Sequence, residues 1–173
     1  MEKLLLELCQ NLENRAIEYM LSGSLAMSFY TIPRLTRDID IVVQLQSGDI
    51  DRFLSIFQHH YYHRQSIGEE ISRKGMFNVI DNETGFKIDF IIRKDSSYGQ
   101  TAFGRRLRLD DFGEEVWVIA IEDLILAKLI WIQEIFSDRQ TNDIRNLLKN
   151  PEIDRQYLDN WVFELKLNVF DLL

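Results

Sequence analysis

The sequence has little of what marks the specialised protein classes. One cysteine in 173 residues leaves Cys9 without an internal disulfide partner, which excludes a disulfide framework and is in keeping with a reducing compartment. Two prolines and eight glycines are too few for a collagen-like or low-complexity chain. No apolar run approaches the ~18 residues of a membrane span; the best candidate, Leu124 to Ile132, is broken by Lys128. The opening MEKLLLELCQNLENR carries acids where a signal peptide needs an uninterrupted apolar stretch, so we expect a cytoplasmic protein. Positive charge is also in short supply. Lys and Arg number 20 against 28 Asp and Glu, a net charge of −8, which argues against broad nucleic-acid binding but leaves room for a local basic site.

What is present is enough for a core. Hydrophobic residues make up 46% of the chain, and a chain of this length can bury roughly 70% of its unfolded surface without a disulfide or structural metal. Finding no repeat or linker, we expect a single domain over residues 1–173, with a core at 15–120 and helices at 121–173 packed on it. Leu4, Leu5, Leu8, Leu12 and Ile17 predict an amphipathic first helix, followed by a strand at 19–21, a turn at Gly23 and a helix from Ser24 to Tyr30. The Ile32-Pro33 pair stops that helix. A strand over 38–45 and a helix over 50–57 come next. Strands over 77–80 and 86–92 are joined as a hairpin by the turn-like Asp81-Asn82-Glu83-Thr84-Gly85. Further strands at 105–109 and 116–119 precede helices at 122–136, 139–148 and 155–167. The pattern is α+β, a mixed sheet flanked by helices with a helical C-terminal segment.

Chemistry concentrates in Ser22-Gly23-Ser24 and Asp38-Ile39-Asp40-Ile41-Val42-Val43. Alternation along a strand points Asp38, Asp40 and Val42 one way and Ile39, Ile41 and Val43 into the core. Carboxylates at i and i+2 lie ~6.5 Å apart by backbone rise. That separation suits a pair of magnesium ions ~3.5–4 Å apart clamping the attacking and leaving oxygens of phosphoryl or nucleotidyl transfer; the plain alternative is two solvated acids. Asp89 lies on the face opposite Phe86, Ile88, Phe90 and Ile92. An acid in so apolar a strand needs a partner: either cations shared with Asp38 and Asp40 on a neighbouring strand, or simple pairing with Lys87 or Arg93. Gly23-Ser24 opens a helix whose free N–H groups favour a phosphate, or is a plain strand-to-helix turn capped by Ser24. Lys128 lies in a helix apolar nearly all round, so its ammonium must find an anion, either a phosphate or a carboxylate such as Glu122, or reach solvent. Arg139 and Asp143 are spaced for an i,i+4 ion pair.

The order Gly23-Ser24, short helix, Asp38-x-Asp40 and a later Asp89 resembles the nucleotidyltransferase superfamily with the DNA polymerase β-like fold. Arg34-x-Thr36-x-Asp38-Ile39-Asp40, Lys87-x-Asp89 and Glu122-Asp123-Leu124-Ile125-Leu126-Ala127-Lys128-Leu129 look most like its AbiEii-type branch, over roughly Ile17 to Lys149. The resemblance implies that Asp38, Asp40 and Asp89 are catalytic and hold two Mg²⁺ ions. It also assigns Gly23, Ser24, Arg37 and Lys128 to the nucleotide, with Arg34, Thr36, Lys87, Arg139 and Asp143 as further site candidates. The implied activity is transfer of an NMP unit from an NTP to a hydroxyl of tRNA, a protein or a small molecule, possible in a toxin–antitoxin setting with a homodimer or antitoxin partner. A non-catalytic nucleotide-binding or antitoxin-like protein on the same fold is the alternative. Asn142 stands where AbiEii-type toxins commonly carry a lysine.

Three further signals read as structural. His59, His60 and His63 have a spacing that a helical metal site can use, but no Cys or motif glutamate accompanies them. Arg105, Arg106 and Arg108 alternate with apolar residues as a solvated strand face does. Tyr157, Leu158, Trp161, Val162 and Leu165 form an apolar helical stripe suited to core or to an oligomer contact.

Overall fold

A computed structural model describes residues 2–111 and 113–173. In chain order the elements are α1 (Glu2–Asn14), β1 (Tyr19–Leu21), α2 (Gly23–Met27), β2 (Asp38–Val43), a 3-10 turn (Ser47–Asp49), α3 (Ile50–Leu54), β3 (His60–Tyr61) and α4 (Arg64–Arg73). There follow β4 (Met76–Asp81), β5 (Lys87–Ile92), α5 (Ser97–Gly104), β6 (Leu107–Asp111), β7 (Glu114–Val118), α6 (Ile121–Glu134), α7 (Asp138–Leu147) and α8 (Arg155–Leu165). The strands described make one sheet in the order β3-β4-β5-β2-β1-β7-β6. It is mixed: β2 pairs with β5 in parallel and β1 with β7 in parallel, while β1–β2, β4–β5, β3–β4 and β6–β7 are antiparallel.

The α+β expectation holds, and the burial pattern gives its cause. β2 alternates, with Ile39, Ile41 and Val43 at 0% exposure and Asp38, Asp40 and Val42 on the other face, as a strand with one face on the core must. β5 continues that buried face with Ile88, Phe90 and Ile92. Phe53 and Phe57 pack edge-on against Phe90, with ring centroids 4.9 and 5.5 Å away, so α3 and the turn after it seal the back of this half-sheet. In α1, Leu5, Leu8, Cys9 and Leu12 are buried at helical spacing. Ile17 lies beyond the helix, where Ala16 takes a positive φ of 50°.

Several boundaries differ from the sequence expectation. The helix after Gly23 stops at Met27, and its N-cap is Ser22 rather than Ser24. The strand expected at 105–109 begins at Leu107, because Arg105 caps the C-terminus of α5. Helices α4 and α5 and the short β3 were not anticipated. α4 shows only Ile67 and Ile71 to the core and α5 contains Gly99 and Gly104, so neither carries a strong helical pattern. No helix among the described residues is long and apolar enough to cross a membrane.

Candidate active site

The parallel pairing of β2 with β5 is in register: Asp38 faces Lys87, and Asp40 faces Asp89. All four side chains share the face turned away from the core. Neighbouring strands run ~4.8 Å apart, so three carboxylates from positions 38, 40 and 89 occupy one patch. They are unequally wet. The Asp38 side chain is 50% exposed and that of Asp89 10%. Burial, reinforced by the charges of Asp89 and Asp38, raises the pKa of Asp40 above the usual carboxylate value. A nearby Lys128 and a hydrogen bond from the backbone N–H of Ser24 act against that rise.

The turn at Gly23 presses on Asp40 directly. Gly23 has φ +59°, and a Cβ built there would stand 1.9 Å from Asp40 Oδ2, so only glycine permits both the backbone conformation and the approach. The Ser24 amide therefore serves Asp40, while the Ser24 hydroxyl accepts a 2.5 Å bond from Arg34 Nη2. Thr36 Oγ1 bonds the backbone of Asp38 at 3.3 Å and sets the entry of β2.

A second group of charges closes the site from the helical side. Asp143 on α7 accepts from Arg34 Nε at 3.1 Å, Arg34 Nη2 at 2.9 Å and Lys128 Nζ at 2.8 Å. Gln140, one helical turn earlier, accepts from Lys128 Nζ at 3.0 Å. Burial would raise the Asp143 pKa, but the hydrogen bonds from Arg34 and Lys128 outweigh it and hold the carboxyl below its ordinary value. Lys128, whose side chain is 5% exposed, is pulled below the usual lysine value by burial, with Asp143 resisting; sharing one carboxylate between two cations leaves each with part of a partner. Arg34 Nη1 is buried without a hydrogen-bond partner among the described residues. A buried guanidinium donor left open marks a place for an acceptor atom.

The sequence candidates sort accordingly. Asp38, Asp40, Asp89, Gly23, Ser24, Arg34, Thr36, Lys87, Lys128 and Asp143 come together. Arg37 and Arg139 are exposed and make no ion pair among the described residues. The Arg139–Asp143 pair expected from i,i+4 spacing is not formed; Asp143 turns inward to Arg34 and Lys128. Lys128 meets Asp143 rather than Glu122, which instead pairs with Arg105. Asp89 takes Lys87 at 2.7 Å, while Arg93 turns to Gln44 and Asp95. Gln140 was missed, although its place three residues before Asp143 on one helix face was a usable signal. His60 lies in β3 and His63 caps α4, so the three histidines share no helical face.

Beyond Asp89 the same sheet face continues outward. Asn78 faces Asp89, Ile80 faces Lys87 and Met76 faces Ile91, and Tyr61 faces Ile80. Tyr61 is 64% and Met76 45% exposed, so this part of the face is open to solvent. Hollows of about 600 Å³ beside α8 and about 340 Å³ near Tyr30 and Glu152 include none of the site residues.

No protein-family model matches the chain, and no curated protein does. Solved structures do. ANT(2'')-Ia in complex with adenylyl-2''-tobramycin superposes with a TM-score of 0.66 at 10% identity, covering 95% of this chain and 96% of that one. The lincosamide antibiotic adenylyltransferase LnuA, lincomycin-bound, gives 0.58 at 18% identity over 85% and 96% of the two chains. An antigenic nucleotidyltransferase-like protein from Paracoccidioides brasiliensis gives 0.58 at 19% over 95% and 86%. At these identities the likeness establishes architecture: the chain has the nucleotidyltransferase fold.

Proposed function

We propose that this chain is a cytoplasmic, magnesium-dependent nucleotidyltransferase that moves an NMP unit from an NTP to a hydroxyl group and releases pyrophosphate. The observation that carries the reading is the register of Asp40 against Asp89, with Asp38 on the same face, in a chain of this fold. Oxygen-only donors that are short of cations suit Mg²⁺. When bound, the metal would supply charge neutralisation at the phosphates and at the reacting oxygens.

The chain's own residues divide the remaining work. Asp38, Asp40 and Asp89 hold the metal, and Asp89, at the border of the open face, takes the proton of the attacking hydroxyl. The hydroxyl oxygen bonds to the α-phosphorus as the bond to the pyrophosphate oxygen breaks. Arg34, with its open Nη1, and Lys128 face the phosphates. Residues 15–120 supply the acids, and the helices of 121–173 close the basic side, as parts of one domain.

The acceptor is a small hydroxyl compound rather than a polyanion. On the open face the register sets the uncharged Tyr61, Met76, Asn78, Ile80 and Ile91 beside Lys87, and the chain carries a net −8, a poor surface for a nucleic-acid backbone. LnuA with bound lincomycin and ANT(2'')-Ia with adenylyl-2''-tobramycin hold ligands of this size on the same fold.

Thermal unfolding with each NTP, with and without Mg²⁺, tests the reading. A nucleotide at a hundred times its Kd contributes about 2.7 kcal/mol, a rise of roughly 5–10 °C for a domain of this size. That rise should require Mg²⁺ and vanish in Asp38→Asn/Asp40→Asn. Absence of a shift with every NTP rejects the proposal, and a shift without transfer to any hydroxyl compound moves it to a non-catalytic nucleotide-binding protein.

A further inference from the structure

Three acids share one face, yet among the described residues no three His, Cys, Asp or Glu side chains are gathered closely enough to hold a metal ion. Lys87 stands between them. Its ammonium lies 2.7 Å from Asp89 Oδ2 and 3.6 Å from Asp38 Oδ1, bridging the two strands that the acids occupy. Its position is fixed by sequence and register together. It precedes Asp89 by two residues, hence shares its face, and it faces Asp38 across the parallel pair.

We propose that Lys87 is a positioning residue that keeps the metal's place, neutralising Asp38 and Asp89 in the resting protein and giving way to the divalent cation. The inference rests on the nucleotidyltransferase reading above. Two contrasts within the site carry it. One ammonium set among three carboxylates leaves negative charge over, so the site is only partly neutralised and still favours a cation of higher charge. Lys87 is also free to leave. Its side chain is 41% exposed, so its stem can swing the ammonium into water at little desolvation cost. Lys128, at 5% exposure and bonded to both Asp143 and Gln140, has no such freedom.

A consequence separates this role from an ordinary ion pair. A metal that must displace an ammonium binds weakly when it comes alone, so the site stays closed to bare Mg²⁺ and opens to the metal that arrives with the nucleotide. Lys87 thereby ties metal binding to substrate binding.

The test is Mn²⁺ binding without nucleotide, followed by electron paramagnetic resonance of the free ion. Wild type is compared with Lys87→Met, which keeps most of the stem, with Lys87→Gln as a second neutral variant and with Lys87→Arg. Both neutral variants should bind Mn²⁺ about tenfold more tightly than wild type, on the scale of one near charge removed, while Lys87→Arg should not. Their thermal midpoints should fall without metal and recover with Mn²⁺. Equal Mn²⁺ affinity in wild type and both neutral variants overturns the role of Lys87 and leaves the metal site standing. No binding by any of the proteins also overturns the role of Lys87, and the Mg²⁺-dependent thermal response to NTP then decides the metal site by itself.

Discussion

The carboxylates on the sheet face and those at the start of α6 are neutralised to different degrees. Glu122 and Asp123 are 6% and 0% exposed. Arg105 reaches both, at 2.8 Å to Glu122 and 3.0 Å to Asp123. The Tyr157 hydroxyl donates to Asp123 at 2.7 Å, and the backbone N–H of Asp154 donates to Glu122 at 3.0 Å. The guanidinium lies 3.8 Å from the Tyr157 ring centroid, and both acids sit in the first turn of a helix, where the macrodipole favours them. Every part of that cluster ties one element to another: α5 through Arg105, α6 through its acids, α8 through Tyr157. The sheet-face acids tie down little. They share Lys87 and a backbone N–H from Ser24, and they stand beside an open surface. Saturated polar networks hold a fold together, whereas a cluster kept short of partners is where the proposed metal would complete the set.

Breaking the closed cluster should have the larger effect on stability. Arg105→Ala leaves Asp123 buried without its cation, and a loss of about 3 kcal/mol is expected in urea unfolding, with the Mg²⁺-dependent response to NTP retained. An unchanged midpoint would mean that the closed cluster is no brace. Gly23→Ala bridges the two themes, since it forces a side chain into a left-handed backbone and onto Asp40. A loss of about 2 kcal/mol should come with loss of the NTP response.

Asp40→Asn should have the smallest effect on stability, and in the opposite direction. A carboxyl with its pKa raised by burial and like charges binds its proton more tightly in the folded state than in the unfolded one. Its ionisation therefore costs stability as pH rises from the unfolded carboxylate value through the folded one. In the absence of metal, Asp40→Asn should be more stable than wild type by about 1 kcal/mol at pH 7, and the advantage should disappear below the unfolded pKa near 3.9. Asp143, held low by Arg34 and Lys128, supplies the contrast. Its contribution is present above the unfolded pKa and is lost as pH falls through its depressed folded value. A pH-independent difference between wild type and Asp40→Asn would contradict the like-charge account.

The strands of the site were legible because alternation is a local signal. Ile39, Ile41 and Val43 against Asp38 and Asp40 announce a strand with an acidic face, and Asp89 among Phe and Ile announces an acid that must find a partner. The glycine at position 23 was legible as a turn, though the atom it makes room for, Asp40 Oδ2, was not. Arg139 and Asp143 mark the limit. Helical spacing offered a surface pair, but Asp143 is buried at 3% exposure, and two cations brought by other elements took it. α4 and α5 escaped because their apolar faces are two residues wide.

The sequence alone determined which side chains share a face, because a period of two in strands and 3.6 in helices is set by the backbone of each segment. It also determined the order Gly23, Asp38, Asp40, Asp89 and the likeness drawn from it. The tertiary structure alone decided which faces meet: Asp40 against Asp89 through β2–β5 register, Lys87 between Asp38 and Asp89, and Arg34 and Lys128 on Asp143. Those pairings join residues up to 109 positions apart, as Arg34 and Asp143 are. Partner choice at such separations follows from how the sheet and helices pack and which burial leaves each charge least exposed to an unmet cost, and no local pattern carries that information.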